Sequence, residues 1–262
     1  MNNILIIVVT SILIVILLFL RKLAVNYSVK KDFKEITDKN RGEKSERDLV
    51  YRLLKLKYKK DYIFYDVYLK KDNGDYSQLD VILLTVYGII SIEVKDYTGT
   101  IYGYGSSDEW TQYYNFKKDK RSFYNPIKQN YGHITALKNN ISKISGVNIK
   151  DLTFYNLIVF YGKSRIRKIK GLNEYSFVTK PKWLYWTLCR IKIHSRKRRK
   201  ISNTALSKIS TMLKNAYLNN NSEEIRNTHL ETVKMYQRVG FLKRIFRKLL
   251  SSIKRLFFKN KY

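Results

Sequence analysis

An uncharged, apolar run opens the chain. It extends from Asn3 to Leu20 and is followed at once by Arg21 and Lys22. A helix needs about 17–25 apolar residues to cross a bilayer, so the run predicts a transmembrane anchor over residues 1–22. A secretory signal would carry cations before a shorter apolar core, and a buried core helix is the remaining alternative. Because the cations follow the run, the positive-inside rule predicts a single-pass protein of the bacterial cell membrane whose remainder is cytoplasmic.

Beyond the anchor, helical and strand periodicities alternate. Leucines recur at helical spacing before the first strands, and the strands are apolar at nearly every other position. The expected elements are a juxtamembrane linker at 23–40, a helix at 42–58, strands at 62–69, 79–84 and 89–95, a continuation of the sheet at 99–104, a loop or short hairpin at 108–120, a helix at 126–144 and a strand at 157–161. Their order predicts an α/β fold with a mixed β-sheet flanked by helices. Residues 163–239, with an edge strand at 175–179 and further helices, are expected to complete the same domain.

Charged residues lie in two of the most apolar strands. Asp80 lies within the run 79–84, and Glu93 and Lys95 end the run 89–95. Charged residues are depleted in strands and are seldom fully buried unless they are paired. Charges at such positions therefore indicate either a chemical role or a buried ion pair.

The hairpin loop decides how these charges face one another. A two-residue loop at 86–87 puts Asp80 directly opposite Glu93, with Cβ atoms about 4.5–5.5 Å apart. A three-residue loop with a bulge at Gly88 would instead make Glu93 a diagonal neighbour. Two carboxylates that lie close together either share a proton or bind a cation. Lys95, two residues after Glu93, lies on the same face of the strand.

Such a group of charges suits metal-assisted hydrolysis of phosphodiester bonds. Mg²⁺ takes oxygen ligands and often uses only one or two carboxylates, with Mn²⁺ as an alternative ion. A neighbouring ammonium group can orient water or neutralise the charge that develops on phosphate. The alternative is structural, a buried ion pair of Lys95 with Glu93 or with Asp80 that closes the sheet.

Several further blocks occur in a fixed order around these residues. They are Arg41–Glu46, Gln78–Ile82, Tyr87–Gly99, Gly103 with Trp110, and Asn125–Asn130 with His133. Together they resemble the nuclease-related domain (NERD), a branch of the restriction-endonuclease-like PD-(D/E)xK superfamily, over residues 41–162. The family often has Ile-Asp-His where this chain has Leu79-Asp80-Val81, a departure that leaves the acids in place.

The resemblance implies a restriction-endonuclease-like fold and a metal-dependent nuclease site. Asp80 and Glu93 correspond to the metal-binding acids, and the Val94 carbonyl would complete the protein ligands of Mg²⁺ or Mn²⁺. Lys95 corresponds to the catalytic lysine. These roles follow from the resemblance, residue by residue.

Two helices are implied to complete this site. Glu43 corresponds to an acid on the first core helix, although a glutamate there can simply favour the helix N-terminus. Gln129 corresponds to a glutamine on the helix after the hairpin, and His133 lies one turn further on the same helical face. For Gln129 and His133 the alternative is a surface hydrogen bond.

The C-terminal segment, residues 240–262, predicts a basic amphipathic helix. Apolar residues recur at three- and four-residue steps with Lys and Arg between them, and the segment contains no acidic residue. This pattern suits a helix in the headgroup region of an anionic membrane, where it would reinforce the anchor. Docking on the domain and nucleic-acid binding are the alternatives.

The chain is strongly basic. Its 52 Lys and Arg against 21 Asp and Glu give a net charge of +31, which predicts attraction to nucleic acid or anionic lipid; part of it reflects a composition typical of an AT-rich bacterial genome. One basic run is interpreted as a patch that contacts nucleic-acid phosphates, or as a solvated loop. It comprises Arg196, Lys197, Arg198, Arg199 and Lys200. Cys189 is the only cysteine, which excludes an intramolecular disulfide and a cysteine-rich zinc site.

Two functional hypotheses follow. In the first, the protein is a membrane-anchored, Mg²⁺-dependent nuclease that hydrolyses phosphodiester bonds of DNA, or alternatively RNA, at the cytoplasmic membrane face. Nucleases of this type can pair to cut two strands, so a homodimer is an expectation. In the second, it is a membrane-tethered nucleic-acid-binding or scaffold protein with an inactive nuclease fold. The sequence leaves open strand number, end or internal cleavage, sequence preference and pathway.

Overall fold

The computed structural model describes residues 2–114, 119–220 and 222–235, which form helices and two mixed sheets. The helices are α1 (Asn2–Ile36), α2 (Lys44–Lys55), α3 (Pro126–Ser142), α4 (Leu184–His194), α5 (Asn203–Asn219) and α6 (residues 223–235). The strands are β1 (Ile63–Lys70), β2 (Tyr76–Thr85), β3 (Gly88–Asp96), β4 (Gly99–Tyr104), β5 (Glu109–Tyr113), β6 (Lys120–Tyr124), β7 (Phe154–Tyr161), β8 (Ser164–Lys170) and β9 (Ser176–Thr179). The α/β class and the predicted order of helix, strands, helix and strand are confirmed.

The larger sheet has the strand order β1-β2-β3-β7-β9. β2 pairs with β1 and β3 in antiparallel fashion, whereas β7 pairs in parallel with β3 and β9. β2 and β3 are therefore interior strands covered on both faces, which explains why their runs are apolar at nearly every position. The short β9 is the edge strand that the sequence predicted.

Helices cover both faces of this sheet. Val81 and Leu83 of β2 belong to one buried cluster, with α2, α4 and the end of α1. Ile82 and Leu84 belong to a second cluster, with α3 and α5. The strand periodicity of two thus divides one apolar run between two cores.

Helix α1 is longer than the predicted anchor. It runs without interruption from Asn2 to Ile36, so most of the segment expected as a linker, 23–40, continues the helix. The apolar side chains described up to Val25 are largely exposed, whereas Val29 is buried and Phe33 packs edge-on against Tyr51. By length and composition, this helix can cross a membrane, and its most apolar part is not buried by the protein.

The second sheet corrects one expectation. Residues 99–104 do not continue the larger sheet but form β4 of a separate sheet with the order β6-β5-β4-β8. Gly99 has φ +76°, and a Cβ there would lie 2.1 Å from the Tyr113 carbonyl oxygen, so a glycine permits the sharp departure from β3. The hairpin alternative for 108–120 is borne out by the pairing of β5 with β6. The predicted helix at 240–262 lies outside the described residues.

Candidate active site

The β2–β3 hairpin has the register of the two-residue loop. Thr85 pairs with Gly88 and Val81 with Ile92, which excludes the bulged alternative. Continuing this register by one step puts Asp80 opposite Glu93. Here the strands separate, because the Val94 N–H donates a hydrogen bond to Asp80 Oδ2 at 2.8 Å. The side chain of Asp80 thus takes the place of a backbone acceptor.

The pairing of β2 with its other neighbour, β1, is interrupted at the same level. β1 pairs with β2 at Tyr65 and again at Val67, but Asp66 between them is unpaired and has φ +49°. The carboxylate of Asp66 is buried and accepts hydrogen bonds from Arg41 Nε at 3.3 Å, Gln78 Nε2 at 2.8 Å and an Arg226 nitrogen at 3.0 Å. Asp80 therefore lies where the pairing of β2 with β3 ends and where its pairing with β1 is interrupted at one residue. We call this region the splayed end of the sheet.

Glu93 is buried but incompletely bonded. Its exposed fraction is 1%, and its Oε1 accepts a hydrogen bond from Lys95 Nζ at 2.6 Å. His133 Nε2 lies 3.4 Å from Oε2, within ion-pair distance, but without hydrogen-bond geometry, so Oε2 has no hydrogen-bond partner among the described residues. Ser77 holds the other ring nitrogen of His133 through a contact of 2.8 Å with Nδ1. A buried carboxylate oxygen without a partner is costly and marks a position where a cation would be stabilised.

Lys95 joins the two strands to α3. Besides Glu93, its Nζ donates to Gln129 Oε1 at 3.0 Å. Burial alone would lower the pKa of Lys95, but Glu93 and Asp80 outweigh burial and raise the pKa. Lys95 is therefore an ammonium group at neutral pH. Gln129 and His133 both point into the site, which agrees with the shared helical face read from their spacing.

The pKa values of the two opposed acids are shifted in opposite directions. Burial, Glu93 and Glu46 hold the pKa of Asp80 well above its usual range, against the weaker effects of Lys95 and the Val94 amide. Burial would also raise the pKa of Glu93, but Lys95 and His133 lower it to about 2. When the pair takes up a proton, Asp80 therefore binds it more readily than Glu93, as expected for two carboxylates at close range.

A further acid near the site comes from the first turn of α2, and it is Glu46. Glu43 is the exposed N-cap residue of α2. Glu46 is buried, accepts a hydrogen bond from the Glu43 N–H at 3.1 Å, and has a pKa raised to about 7 by burial and by acids that include Asp66 and Glu93. The role assigned to Glu43 stays a prediction. The missed signal was helical phase, because Glu46 shares the inward face of Leu53.

Buried amides fix α3 against the larger sheet. Asn125 caps α3 by accepting a hydrogen bond from the Ile127 N–H at 2.9 Å. Asn130 donates to the Ser91 carbonyl at 2.9 Å and to Asn156 Oδ1 at 2.8 Å. Because Asn130 follows Gln129 directly, these bonds set the position from which Gln129 reaches Lys95.

The donor set fits a hard divalent cation. The described residues contain no group of three or more His, Cys, Asp or Glu side chains that could hold a metal ion, but Mg²⁺ often binds through one or two carboxylates with water. Glu93 Oε2, which His133 Nε2 approaches to 3.4 Å without hydrogen-bond geometry, would supply one oxygen and Asp80 the second. In a strand, the N–H and C=O of one residue point to the same neighbouring strand. Since the Val94 N–H points toward β2, where it binds Asp80, the Val94 carbonyl also points toward β2.

The basic run is not brought to this site. Arg196–Lys200 follows α4 and lies beside the hairpin loop, where the Ile201 N–H donates to the Val86 carbonyl at 2.9 Å. Arg199 binds Asp151 and Arg198 binds Glu174, which precede β7 and β9. Val86 lies six residues after Asp80, which corresponds to about 20 Å along an extended strand. The assignment of this run to nucleic acid stays a prediction.

Residues 41–161 match the family model of the nuclease-related domain. The chain carries a nuclease-related domain. It is also 35% identical over 105 residues to an uncharacterized protein of Bacillus anthracis, an alignment that covers 40% of this chain and 49% of that relative. The chain thus spans about half the length of the curated relative it matches. No solved structure matches the chain.

The nuclease-related domain contains the acids and the lysine of the splayed end, whereas Arg226, which binds Asp66, lies outside it. It begins at Arg41, which binds Asp66, and ends with β7, so it includes α2, the hairpin and α3. The basic run Arg196–Lys200 and the apolar part of α1 lie outside it. This division separates the candidate chemistry from the candidate membrane contacts.

Proposed function

We propose that this protein is a membrane-anchored, metal-dependent nuclease that hydrolyses phosphodiester bonds of DNA at the cytoplasmic membrane face. The observation that carries the proposal is the convergence of Asp80, Glu93 and Lys95 at the splayed end, where Glu93 Oε2 is buried without a hydrogen-bond partner. The match to the nuclease-related domain supports the same reaction class.

The residues have distinct tasks in this proposal. Asp80, Glu93 and the Val94 carbonyl would hold Mg²⁺ or Mn²⁺, which when bound activates water and neutralises phosphate charge. Lys95 is an ammonium group, so it donates hydrogen bonds to the attacking water or a phosphate oxygen rather than accepting a proton. Gln129 orients Lys95 through the hydrogen bond of 3.0 Å.

Two features support the location and the substrate. The exposed apolar surface of α1 suits a lipid environment, and Arg21 and Lys22 after the apolar run favour a cytoplasmic domain. The net charge of +31 favours a polyanionic substrate. We propose DNA as the substrate. RNA is the alternative, and a panel of substrates distinguishes the two.

A cleavage assay tests the proposal. The full chain in detergent is incubated with plasmid, single-stranded DNA and RNA, with Mg²⁺, Mn²⁺ or a chelator. We expect metal-dependent cleavage that is lost in Asp80→Ala and Glu93→Ala, while filter binding of the substrate is retained. Asp151, a half-buried acid that pairs with Arg199 at the other end of the sheet, gives the control Asp151→Ala. Cleavage that survives in either active-site variant would refute the assignment.

One observation favours a second function. The buried ion pair of Lys95 with Glu93 is also what a structural role of these residues would produce. In that case, the protein binds nucleic acid at the membrane as a tethered scaffold with an inactive nuclease fold. Binding without cleavage under both metals would establish this alternative.

A further inference from the structure

The direction of α1 relative to the sheet identifies the end of the domain that lies nearest the membrane. Asp32 and Glu35 of α1 contact Lys60, just before β1, whereas Asp38 after α1 hydrogen-bonds to Tyr65 within β1. Followed backwards, α1 therefore runs alongside β1 toward the start of that strand. The start of β1, at Ile63, pairs with Leu83 near the hairpin loop. The apolar part of α1 thus leaves the domain at the loop end of the larger sheet, opposite the splayed end.

The loop end carries a basic surface. We define it by Lys57, Lys59, Lys192 and the run Arg196–Lys200, all of which are exposed. Lys57 and Lys59 precede the turn that leads into β1, and Lys192 Nζ lies 5.2 Å from the ring centroid of Tyr87 in the hairpin loop. The Ile201 N–H bond to Val86 fixes the run at the same loop.

Most of this surface keeps its charge uncompensated. Arg198 and Arg199 form ion pairs with Glu174 and Asp151. Within residues 2–114, 119–220 and 222–235, no carboxylate lies within ion-pair distance of the remaining members of the basic surface. These members are Lys57, Lys59, Lys192, Arg196, Lys197 and Lys200.

The length of α1 places this surface close to lipid headgroups. The apolar run ends at Leu20 and Val29 is the first buried residue after it, so about 13 Å of helix separates them at 1.5 Å per residue. The headgroup layer takes up about 5–8 Å of that distance. What remains is comparable with the Debye length of about 8 Å at physiological ionic strength, and Lys and Arg side chains shorten it further.

We propose that the basic surface at the loop end binds the anionic headgroups of the membrane that α1 crosses, and that this contact turns the splayed end away from the bilayer. The inference rests on the proposed anchoring by α1 but not on nuclease activity. It assigns Arg196–Lys200 to lipid phosphate rather than to nucleic acid, because the run lies about 20 Å from Asp80 and at the end where α1 leaves.

Position-specific quenching tests this contact. The full chain is embedded in nanodiscs of phosphatidylcholine, with or without phosphatidylglycerol, that contain a lipid with a paramagnetic headgroup. In a Cys189→Ser background, a fluorophore is attached after Lys197→Cys, or after Lys168→Cys on exposed β8 in the second sheet. We expect quenching at position 197 to be several-fold stronger than at position 168, and to increase with phosphatidylglycerol.

Charge reversal supplies a matched control. Each cation near an anionic surface strengthens the attraction roughly fivefold, so Arg196→Glu with Lys200→Glu should remove the phosphatidylglycerol-dependent quenching at position 197. Arg165→Glu with Arg167→Glu, the same charge change on exposed residues of β8, should leave it unchanged. Equal quenching at positions 197 and 168, or quenching indifferent to anionic lipid and to both variants, would overturn the proposal.

The remaining outcomes distinguish this proposal from nucleic-acid binding by the same run, and separate it from the proposed anchor and the proposed nuclease activity. If a DNA duplex shifts the fluorescence at position 197 and the Arg196→Glu, Lys200→Glu variant weakens duplex binding while lipid has no effect, the run binds nucleic acid and the lipid contact is refuted. Extraction of the wild-type chain by alkaline carbonate would refute the anchor and this inference with it. The same quenching pattern in a chain without cleavage activity would support the lipid contact and count only against the nuclease.

Discussion

The two ends of the larger sheet use charge in opposite ways. At the splayed end, acids and cations are buried together and bonded to one another: Lys95 to Glu93 and Gln129, and Arg41 to Asp66. At the loop end, the cations are exposed and mostly without carboxylate partners among the described residues. The two ends lie about 20 Å apart along the same strands.

The difference shows that basic composition alone does not locate a site. An exposed cation is well solvated and acts at a distance as part of a surface. A buried cation is held in place by specific partners and can act on a single atom. The predictions below compare variants at the splayed end with matched variants elsewhere.

The largest difference in cleavage rate is expected between variants of two lysines, one at each end. Lys95→Met removes the ammonium at the splayed end and should lower kcat about 10²–10³-fold, the usual loss when one donor to developing charge is removed. Lys192→Met, at the loop end, removes an exposed lysine and should leave cleavage in detergent unchanged. Single-turnover cleavage rates measure both. Equal losses in the two variants would mean that Lys95 acts only through the general charge of the domain.

The two glutamates of α2 sharpen the comparison within one helical turn. Glu46→Gln removes a buried acid that interacts electrostatically with Asp80 and Glu93, and should weaken metal-dependent cleavage about 10–100-fold, as for residues that support metal ligands. Glu43→Gln alters an exposed N-cap and should have little effect on the rate. Mg²⁺ titrations of activity distinguish a weaker metal affinity from a lower maximal rate. The opposite ranking would identify Glu43 as the supporting acid.

Gln129 should have a smaller effect, because it acts on Lys95 and not on the substrate. Gln129→Ala removes the acceptor at 3.0 Å, and we expect about a tenfold loss of kcat with KM little changed. Gln129→Glu keeps an acceptor and should recover part of the rate. An unchanged kcat in Gln129→Ala would show that Glu93 alone positions Lys95.

The buried acid Glu46 should also make the stability of the protein depend on pH. The pKa of Glu46 is raised from 4.5 to about 7, so the folded state binds more protons than the unfolded state between these values, and stability falls as pH rises through this window. In thermal melts without metal, Tm should decrease from pH 5 to pH 7 more in the wild type than in Glu46→Gln. Mg²⁺ should reduce this decrease in Tm, because a bound cation compensates the negative charge of Glu46. An identical pH profile in both proteins would contradict the buried-acid account.

The order of the elements along the chain and the β2–β3 hairpin could be predicted because both depend on local pattern, whereas the choice between the two loop registers stayed open. Period-two runs and a two-residue loop place Asp80 opposite Glu93, and helical spacing places Gln129 with His133. The second sheet could not be predicted in this way. Its β4–β8 pairing joins residues far apart in sequence, and β8 alternates cations such as Arg165 and Arg167 where a core strand would be apolar.

The acids of the site show the same limit. Asp80 and Glu93 stand out because they interrupt apolar strands, and Lys95 stands out for the same reason. Glu46 does not, because acids are common in the first turn of a helix, and only its phase relative to Leu53 separates it from Glu43. Asp66 interrupts the apolar run of β1 in the same way, so the same signal could have found it. Its left-handed backbone and its arginine partners depend on contacts that only the folded chain brings together.

The central claim is that the splayed end holds a divalent cation, and Mn²⁺ binding measured by electron paramagnetic resonance tests it most directly. We predict that the full chain binds Mn²⁺ competitively with Mg²⁺, and that Asp80→Ala and Glu93→Gln each abolish this binding while Asp151→Asn preserves it. Absence of Mn²⁺ binding in the wild type, or binding unchanged in both active-site variants, would contradict the account and leave Asp80, Glu93 and Lys95 as a structural cluster.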